Sequence, residues 1–254
     1  EIGKVFPVDL GIVADAKSAL RSLVEICPAY LSKSNRDRQA ERRDCLKKAK
    51  EEAQAQLEAR VRNGWEATPI NPARLVREMD RLLGSDLLIV NESPTTKDIL
   101  MSNFQFLPGR SYFSNSSGGY LGWGLGAAIG AQLASPNRRV VACLGDGSTM
   151  FGIQGFWTLA KYRVPVLVIV FNNRAYMAVK NQFRGAEERA RLAAQLGTDL
   201  VGPDLDFTRL AHCFGIFGQR VERPEEIEPA LRLALNESGP ALVDVVISQV
   251  SRKD

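Results

Sequence analysis

Two short stretches of this chain bring together residue types that can do chemistry. Gly145-Asp146-Gly147-Ser148 follows directly on the apolar run 140–144, and Asn172-Asn173 closes a second apolar run, 166–171. The glycines permit a tight turn and let backbone N–H groups approach a ligand closely. A helix beginning just behind them would offer its N-terminus to an anion. Asp146 sits in the middle of that cradle, where its carboxylate would repel a bare phosphate. A divalent cation standing between the two removes the conflict. Between Gly147 and Asn172 lie 24 residues, room for one crossover helix and a returning strand. The right-handed β-α-β rule then sets the two strand ends side by side. Asp146 and Asn173 are therefore expected to face one point with oxygen ligands, and the backbone carbonyl of Ala175 supplies a third. Three protein oxygens, diphosphate oxygens and water make an octahedral Mg2+ shell.

The elements that must hold these residues alternate along the chain after the Asn63-Gly64 break. Asn71 caps a helix starting at Pro72 and running over 72–83. Strands are expected over 87–90, 140–144, 166–171 and 241–247. Helices are expected over 121–133, 154–162, 207–214 and 227–235, with 186–196 a basic-rich helix or lid. Continuous apolar strands separated by helices specify a parallel sheet covered on both faces. The fold class is α/β, with its working site at the carboxyl ends of the strands. Ahead of this unit, Ala16, Leu20, Leu23 and Val24 recur at helical spacing over 14–26. The stretch 36–62 carries nine basic and six acidic residues. Its thin apolar stripe of Leu46, Ala49, Ala53, Leu57 and Val61 reads as a solvated helix resting on something along one edge.

Composition narrows the function classes. With 254 residues, 45% hydrophobic and 24% charged, the chain excludes collagen, a disordered tail and a disulfide-dense mini-protein. A net charge of +4 is too mild to argue for nucleic acid or membrane. The basic residues of 36–62 are interspersed with acids and lack aromatics, so no nucleic-acid partner is expected there. No apolar run approaches the ~20 residues that a spanning helix needs. Cys27, Cys45, Cys143 and Cys213 form no C-x-x-C pair and accompany a single histidine, which leaves no zinc pattern. Cys143, His212, Trp123 and Trp157 read as packing residues. Arg174, Lys180, Arg184 and Arg189 suit either an acidic substrate or an ordinary solvated basic face. Gly122-Trp123-Gly124-Leu125-Gly126 lacks the preceding strand that a dinucleotide fingerprint requires. Free thiols and the lack of a signal peptide point to the cytoplasm. The opening Glu1-Ile2-Gly3-Lys4 reads as mid-domain, so a piece of a longer polypeptide is expected.

Gly145-Asp146-Gly147 followed at this interval by Asn172-Asn173 resembles the diphosphate-binding motif of thiamine-diphosphate-dependent enzymes. Gly118-Gly119-Tyr120-Leu121-Gly122-Trp123-Gly124-Leu125-Gly126-Ala127-Ala128-Ile129-Gly130 strengthens the resemblance, with Gly126 standing where that superfamily usually has proline. Val90-Asn91-Glu92-Ser93-Pro94-Thr95-Thr96 resembles a cofactor-contacting strand end of benzoylformate decarboxylase-like members. The likeness covers about residues 67–250. It implies three parts: a middle-domain tail over 1–27, a charged linker helix over 28–66, and a thiamine-diphosphate-binding domain over 67–254.

The resemblance also implies roles. Asp146, Asn173 and the Ala175 carbonyl would hold Mg2+. Gly145, Gly147, Ser148, Tyr176 and Met177 would contact the diphosphate of the cofactor, the last two through backbone N–H groups. Leu121 would wedge thiamine diphosphate into the bent form that brings its aminopyrimidine nitrogen to the thiazolium C2–H. Ser93, Thr95 and Gly119 are further cofactor candidates, and Ala178 and Gln182 candidates for the substrate pocket. The activity implied is decarboxylation of an aryl or branched 2-oxo acid, with acetolactate synthase-like carboligation or a non-catalytic cofactor-binding module as alternatives. The family takes its activating glutamate from a separate pyrimidine-binding domain, usually on a neighbouring subunit. Nothing around Glu92 or Glu187 matches that role. The chain alone is therefore expected to be inactive, and its partners to be that domain and a second copy, in a homodimer or tetramer.

Overall fold

The computed structural model describes residues 2–106, 111–115, 120–183 and 197–249. The chain falls into two compact units, one up to residue 59 and the other from residue 60.

In the first unit, helix α1 (Ala16–Ile26) starts where Asp15 accepts the Ser18 N–H at 2.9 Å. A 3-10 turn containing Pro28 follows it. No residue of α1 is buried, and Leu20, Leu23 and Val24 of its expected packing stripe are exposed. Helix α2 (Lys33–Asn63) is the charged helix, somewhat longer than 36–62, and it crosses into the second unit. Its one buried side chain among the described residues, Val61, belongs to that second unit.

The second unit opens on α3 (Pro72–Leu82), capped as expected by Asn71, which accepts the Ala73 N–H at 2.9 Å. Six strands follow among the described residues: β1 (Leu87–Glu92), β2 (Ser111–Ser114), β3 (Arg139–Gly145), β4 (Leu167–Asn172), β5 (Phe217–Val221) and β6 (Ala241–Val246). They lie in the order β2-β1-β3-β4-β6-β5, and every neighbouring pair is parallel. The four expected strands form the centre of this sheet; β2 and β5 are its edges.

Alternate residues of the strands feed two cores, as a sheet covered on both faces demands. Ile89, Val141, Cys143, Ile169 and Val243 pack with α3, with α4 (Lys97–Asn103) and with Ile227 and Leu231 of the helix Ile227–Asn236. Val90, Ala142, Leu144, Val168 and Leu242 pack with α5 (Trp123–Ala134) and with Phe156 and Phe207, which lie on the helices Gly155–Tyr162 and Phe207–Cys213. In chain order these last helices are α7, α9 and, for Ile227–Asn236, α10. The remaining two among the described residues are α6 (Asp146–Met150) and α8 (Met177–Phe183). The chain leaves β1 through α4 to β2 on one side, and α5 then carries it back to β3 on the other. A crevice therefore opens beyond the carboxyl ends of β1 and β3, the position where open α/β sheets bind ligands.

Two packing expectations fail. Trp157 is 52% exposed, its ring under the Lys161 ammonium at 4.6 Å, whereas Trp123 does pack against the second core. His212 is exposed on α9, facing away from that core. Cys143 is buried as expected, and burial pushes its thiol up to about 12. The lid segment 186–196, with Glu187 and Arg189, and Arg184 lie outside the described residues. Among the described residues, no helix is long and apolar enough to cross a membrane.

Candidate active site

The tips of β3 and β4 lie side by side, with Gly145 in register with Phe171. Beyond β3 the chain turns into α6, whose first residue is Asp146. Asp146 is only 2% exposed. Its Oδ1 accepts the Gly147 N–H at 2.8 Å, and its Oδ2 accepts the Ala175 N–H at 3.2 Å. Beyond β4, Asn173 Oδ1 accepts the same Ala175 N–H at 3.1 Å. One amide thus ties together the two side chains that the sequence spacing pairs. Asn173 also donates to Thr95 Oγ1 at 3.4 Å, and its own carbonyl accepts from the Gln249 carboxamide at 3.2 Å.

Electrostatics sharpen the picture. Burial pushes the Asp146 carboxyl up to about 6, against the pull of its amide donors. The charge that adds to this is Asp244, another carboxylate. An oxygen ligand set of one acid, one carboxamide and one carbonyl, with the acid buried and without a cationic partner among the described residues, fits a hard divalent ion. The described residues hold no cluster of three His, Cys, Asp or Glu, so a soft-metal site finds no support. The Ala175 carbonyl accepts the Met177 N–H at 2.8 Å and retains a second lone pair.

The cradle residues divide. Gly147 is closely packed: a Cβ there would meet the Tyr176 ring at 2.6 Å, so the ring would have to shift. At Gly145 a Cβ would meet only ordinary contacts, the nearest Ser148 Oγ at 3.7 Å. Ser148 is buried beside it. The α6 helix has five residues, so its dipole is small and local amides matter more than the macrodipole. The backbone contacts expected of Tyr176 and Met177 are already committed. The Tyr176 N–H donates to Thr198 O, and the Met177 N–H to Ala175 O, both at 2.8 Å. What Tyr176 brings to the crevice is its ring, stacked edge-on to Phe151 at 6.5 Å; the Met177 side chain is buried. Ala178 and Gln182 are exposed on α8.

On the β1 side, Ser93 is buried, and its N–H and hydroxyl both turn back to Asn91 Oδ1, at 3.2 and 2.5 Å. Leu121 is 40% exposed, two residues before α5 begins, so the helix starts later than expected. Gly119 lies outside the described residues. Glu92, to which no motif assigns a role, is 3% exposed. It accepts the Gly122 N–H at 2.7 Å and the Gly124 N–H at 2.6 Å, capping α5 immediately after Leu121. Gly124 leaves room for it, since a Cβ there would stand 2.7 Å from Glu92 Cβ. Burial raises the Glu92 carboxyl above its ordinary value, partly offset by these donors. No short-range pattern signals this cap, because its partners lie 30 and 32 residues downstream.

Comparison with known proteins identifies the family. Residues 96–245 match the family described as thiamine pyrophosphate enzyme, C-terminal TPP binding domain. The chain is 37% identical over 180 residues to a benzoylformate decarboxylase of Pseudomonas aeruginosa, an alignment covering 71% of this chain and 33% of that one. It is 31% identical to a probable acetolactate synthase large subunit of Methanococcus aeolicus, across 99% of this chain and 42% of that one. Among solved structures, a thiamine diphosphate-dependent 4-hydroxybenzoylformate decarboxylase of Rhodococcus jostii RHA1 superposes with a TM-score of 0.65 at 35% identity, covering 72% of this chain and 34% of the other. The chain therefore spans about a third to two-fifths of the length of these relatives. It belongs to the C-terminal TPP-binding domain family of the thiamine pyrophosphate enzymes.

Proposed function

We propose that this chain is the diphosphate-binding part of a thiamine-diphosphate- and Mg2+-dependent 2-oxo acid decarboxylase of the benzoylformate decarboxylase kind. The observation that carries the reading is the Ala175 amide shared by Asp146 and Asn173, which brings an oxygen of each to the same N–H. Asp146, Asn173 and the Ala175 carbonyl would hold the cation, which would offset the charge of the diphosphate. Gly147 and Ser148 line the diphosphate seat, and Tyr176 and Met177 close it from the β4 side. Ser93 and Thr95 stand at the β1 tip, and Gly119 precedes Leu121 in the chain. Leu121, followed directly by the glycines that Glu92 caps, would be the residue that supports the cofactor.

Thiamine diphosphate, when bound, supplies a nucleophilic thiazolium carbon for the 2-oxo acid carbonyl and an electron sink as CO2 leaves. The chain's own work is to bind, orient and keep water from the buried ends of β1, β3 and β4. The activating glutamate belongs to a pyrimidine-binding domain from the rest of the polypeptide or from a partner subunit, in a homodimer or tetramer. The chain alone then binds the diphosphate end and turns nothing over. Residues 1–27 are the tail of a middle domain, and 28–66 its charged connection. Four unpaired thiols suit a cytoplasmic protein.

A second reading, carboligation, is supported by the acetolactate synthase relative, whose similarity runs along nearly the whole chain where that of the decarboxylase stops at 71%. Calorimetric titration with thiamine diphosphate, with and without Mg2+, tests what both readings share. Binding is expected only with the metal, and equal affinity without it would overturn the site. Product analysis of the full-length enzyme on a panel of 2-oxo acids then separates aldehyde release from carbon–carbon bond formation.

A further inference from the structure

Behind the cation turn lies a second buried carboxylate that the roles above leave unused. Asp244, in the middle of β6, is 0% exposed. It sits across from Val170 of β4, on the face of the sheet that α9 covers. Its Oδ1 accepts the Asn172 side-chain N–H at 2.9 Å, and its Oδ2 accepts from Arg220 of β5 at 3.1 Å. Asn172 is itself 1% exposed, and its Oδ1 accepts the Arg174 N–H at 3.2 Å. Arg174 has φ +58°, a left-handed conformation that a non-glycine residue adopts only when its surroundings hold it there. The next residue is Ala175, whose amide Asp146 and Asn173 share.

A carboxamide is symmetric in shape but not in chemistry. Turned by 180°, Asn172 would present two hydrogens to the Arg174 N–H, and the turn would lose its acceptor. A carboxylate can only accept, so Asp244 permits a single orientation of the Asn172 amide: nitrogen towards β6, oxygen towards Arg174. Arg220 pairs with the other carboxylate oxygen at 3.1 Å and balances the buried charge.

The geometry points to Asp244 as a positioning residue for the cation site: through the Asn172 carboxamide it holds the left-handed turn at Arg174, and with it the alignment of Asn173 and Ala175 towards Asp146. This inference rests on the cation reading of Asp146 and Asn173. It goes beyond that reading by tracing the site's shape to a strand that carries no ligand.

The decisive variant is Asp244→Asn. Its amide would turn its oxygen to Arg220 and its nitrogen to Asn172, forcing the Asn172 carboxamide to flip. Two readouts apply to the complete enzyme. Hydrogen exchange at Arg174 and Ala175 in the cofactor-free protein is expected to accelerate at least about tenfold, while the β3 amides keep their protection. Mg2+ affinity at saturating thiamine diphosphate is expected to fall about tenfold, in the range lost when residues behind metal ligands are altered. Asn172→Ala leaves the Asp244–Arg220 pair in place and should reproduce both changes; it carries the test if Asp244→Asn fails to fold. Unchanged exchange at the turn, or unchanged Mg2+ affinity, in the folded variant overturns the proposal. Asp146→Ala keeps the two inferences apart. If it leaves Mg2+ dependence intact, the cation reading fails by itself, whereas exchange at the turn still decides the role of Asp244.

Discussion

Asp146 is a carboxylate held out of water with amide donors on both oxygens and no cationic partner among the described residues. Its proton is bound more tightly in the folded chain, at about 6, than the ordinary 3.8 of an unfolded one. Metal-free stability should therefore fall as pH rises from about 4 to about 6, by on the order of 3 kcal/mol from this group. A bound cation removes that cost. The thermal midpoint of the Mg2+-loaded protein should thus pull away from that of the metal-free protein as pH rises through 6, and scanning calorimetry at pH 5 and 7.5 checks it. Asp146→Ala should abolish metal-dependent cofactor binding altogether, read by the same titration that tests the function. Gly147→Ala should displace the Tyr176 ring and weaken cofactor binding about tenfold, since packing strain of 1–3 kcal/mol is typical of such a clash. The double variant Gly147→Ala/Tyr176→Ala should recover part of that loss. Asp146 and Asn173 were legible because a motif states residue type and interval together. Glu92 and Asp244 were not: their hydrogen bonds span 24 to 72 residues, and nothing local distinguishes them from solvated acids.

Among the elements, the central strands β1, β3, β4 and β6 could be read from continuous apolar runs because both their faces are covered. The edges escaped for the complementary reason. In β2, Ser111–Ser114 holds only two large side chains, and β5 mixes Gln219 and Arg220 among its apolar positions, each strand having a neighbour on one side alone. Helix α4 is seven residues long, too short for its periodicity to stand out. Helix α5 depends on Glu92 for its first turn. Replacing Glu92 with Gln turns one acceptor into a donor facing an N–H, and should cost about 1–3 kcal/mol of stability, visible as a lower denaturant midpoint with an unchanged slope. A midpoint equal to that of the parent protein would show that α5 needs no such cap.

At the scale of the molecule, the cation ligands, the cradle and their supports all lie within the unit that begins at residue 60. Deleting residues 36–59 from the full-length enzyme, short of buried Val61, should leave the affinity for Mg2+ and thiamine diphosphate within about twofold, as expected for a mostly solvated helix. A large drop would give that helix a part in binding. Most of the length of each compared relative lies outside the region this chain matches, the match being 33%, 42% and 34% of those chains. Because a single backbone amide already grips both prospective ligands, the two strand tips stand ready before any cofactor arrives. Docking onto so rigid a seat freezes little chain, and its heat should vary only weakly with temperature, unlike association that must fold its own receptor.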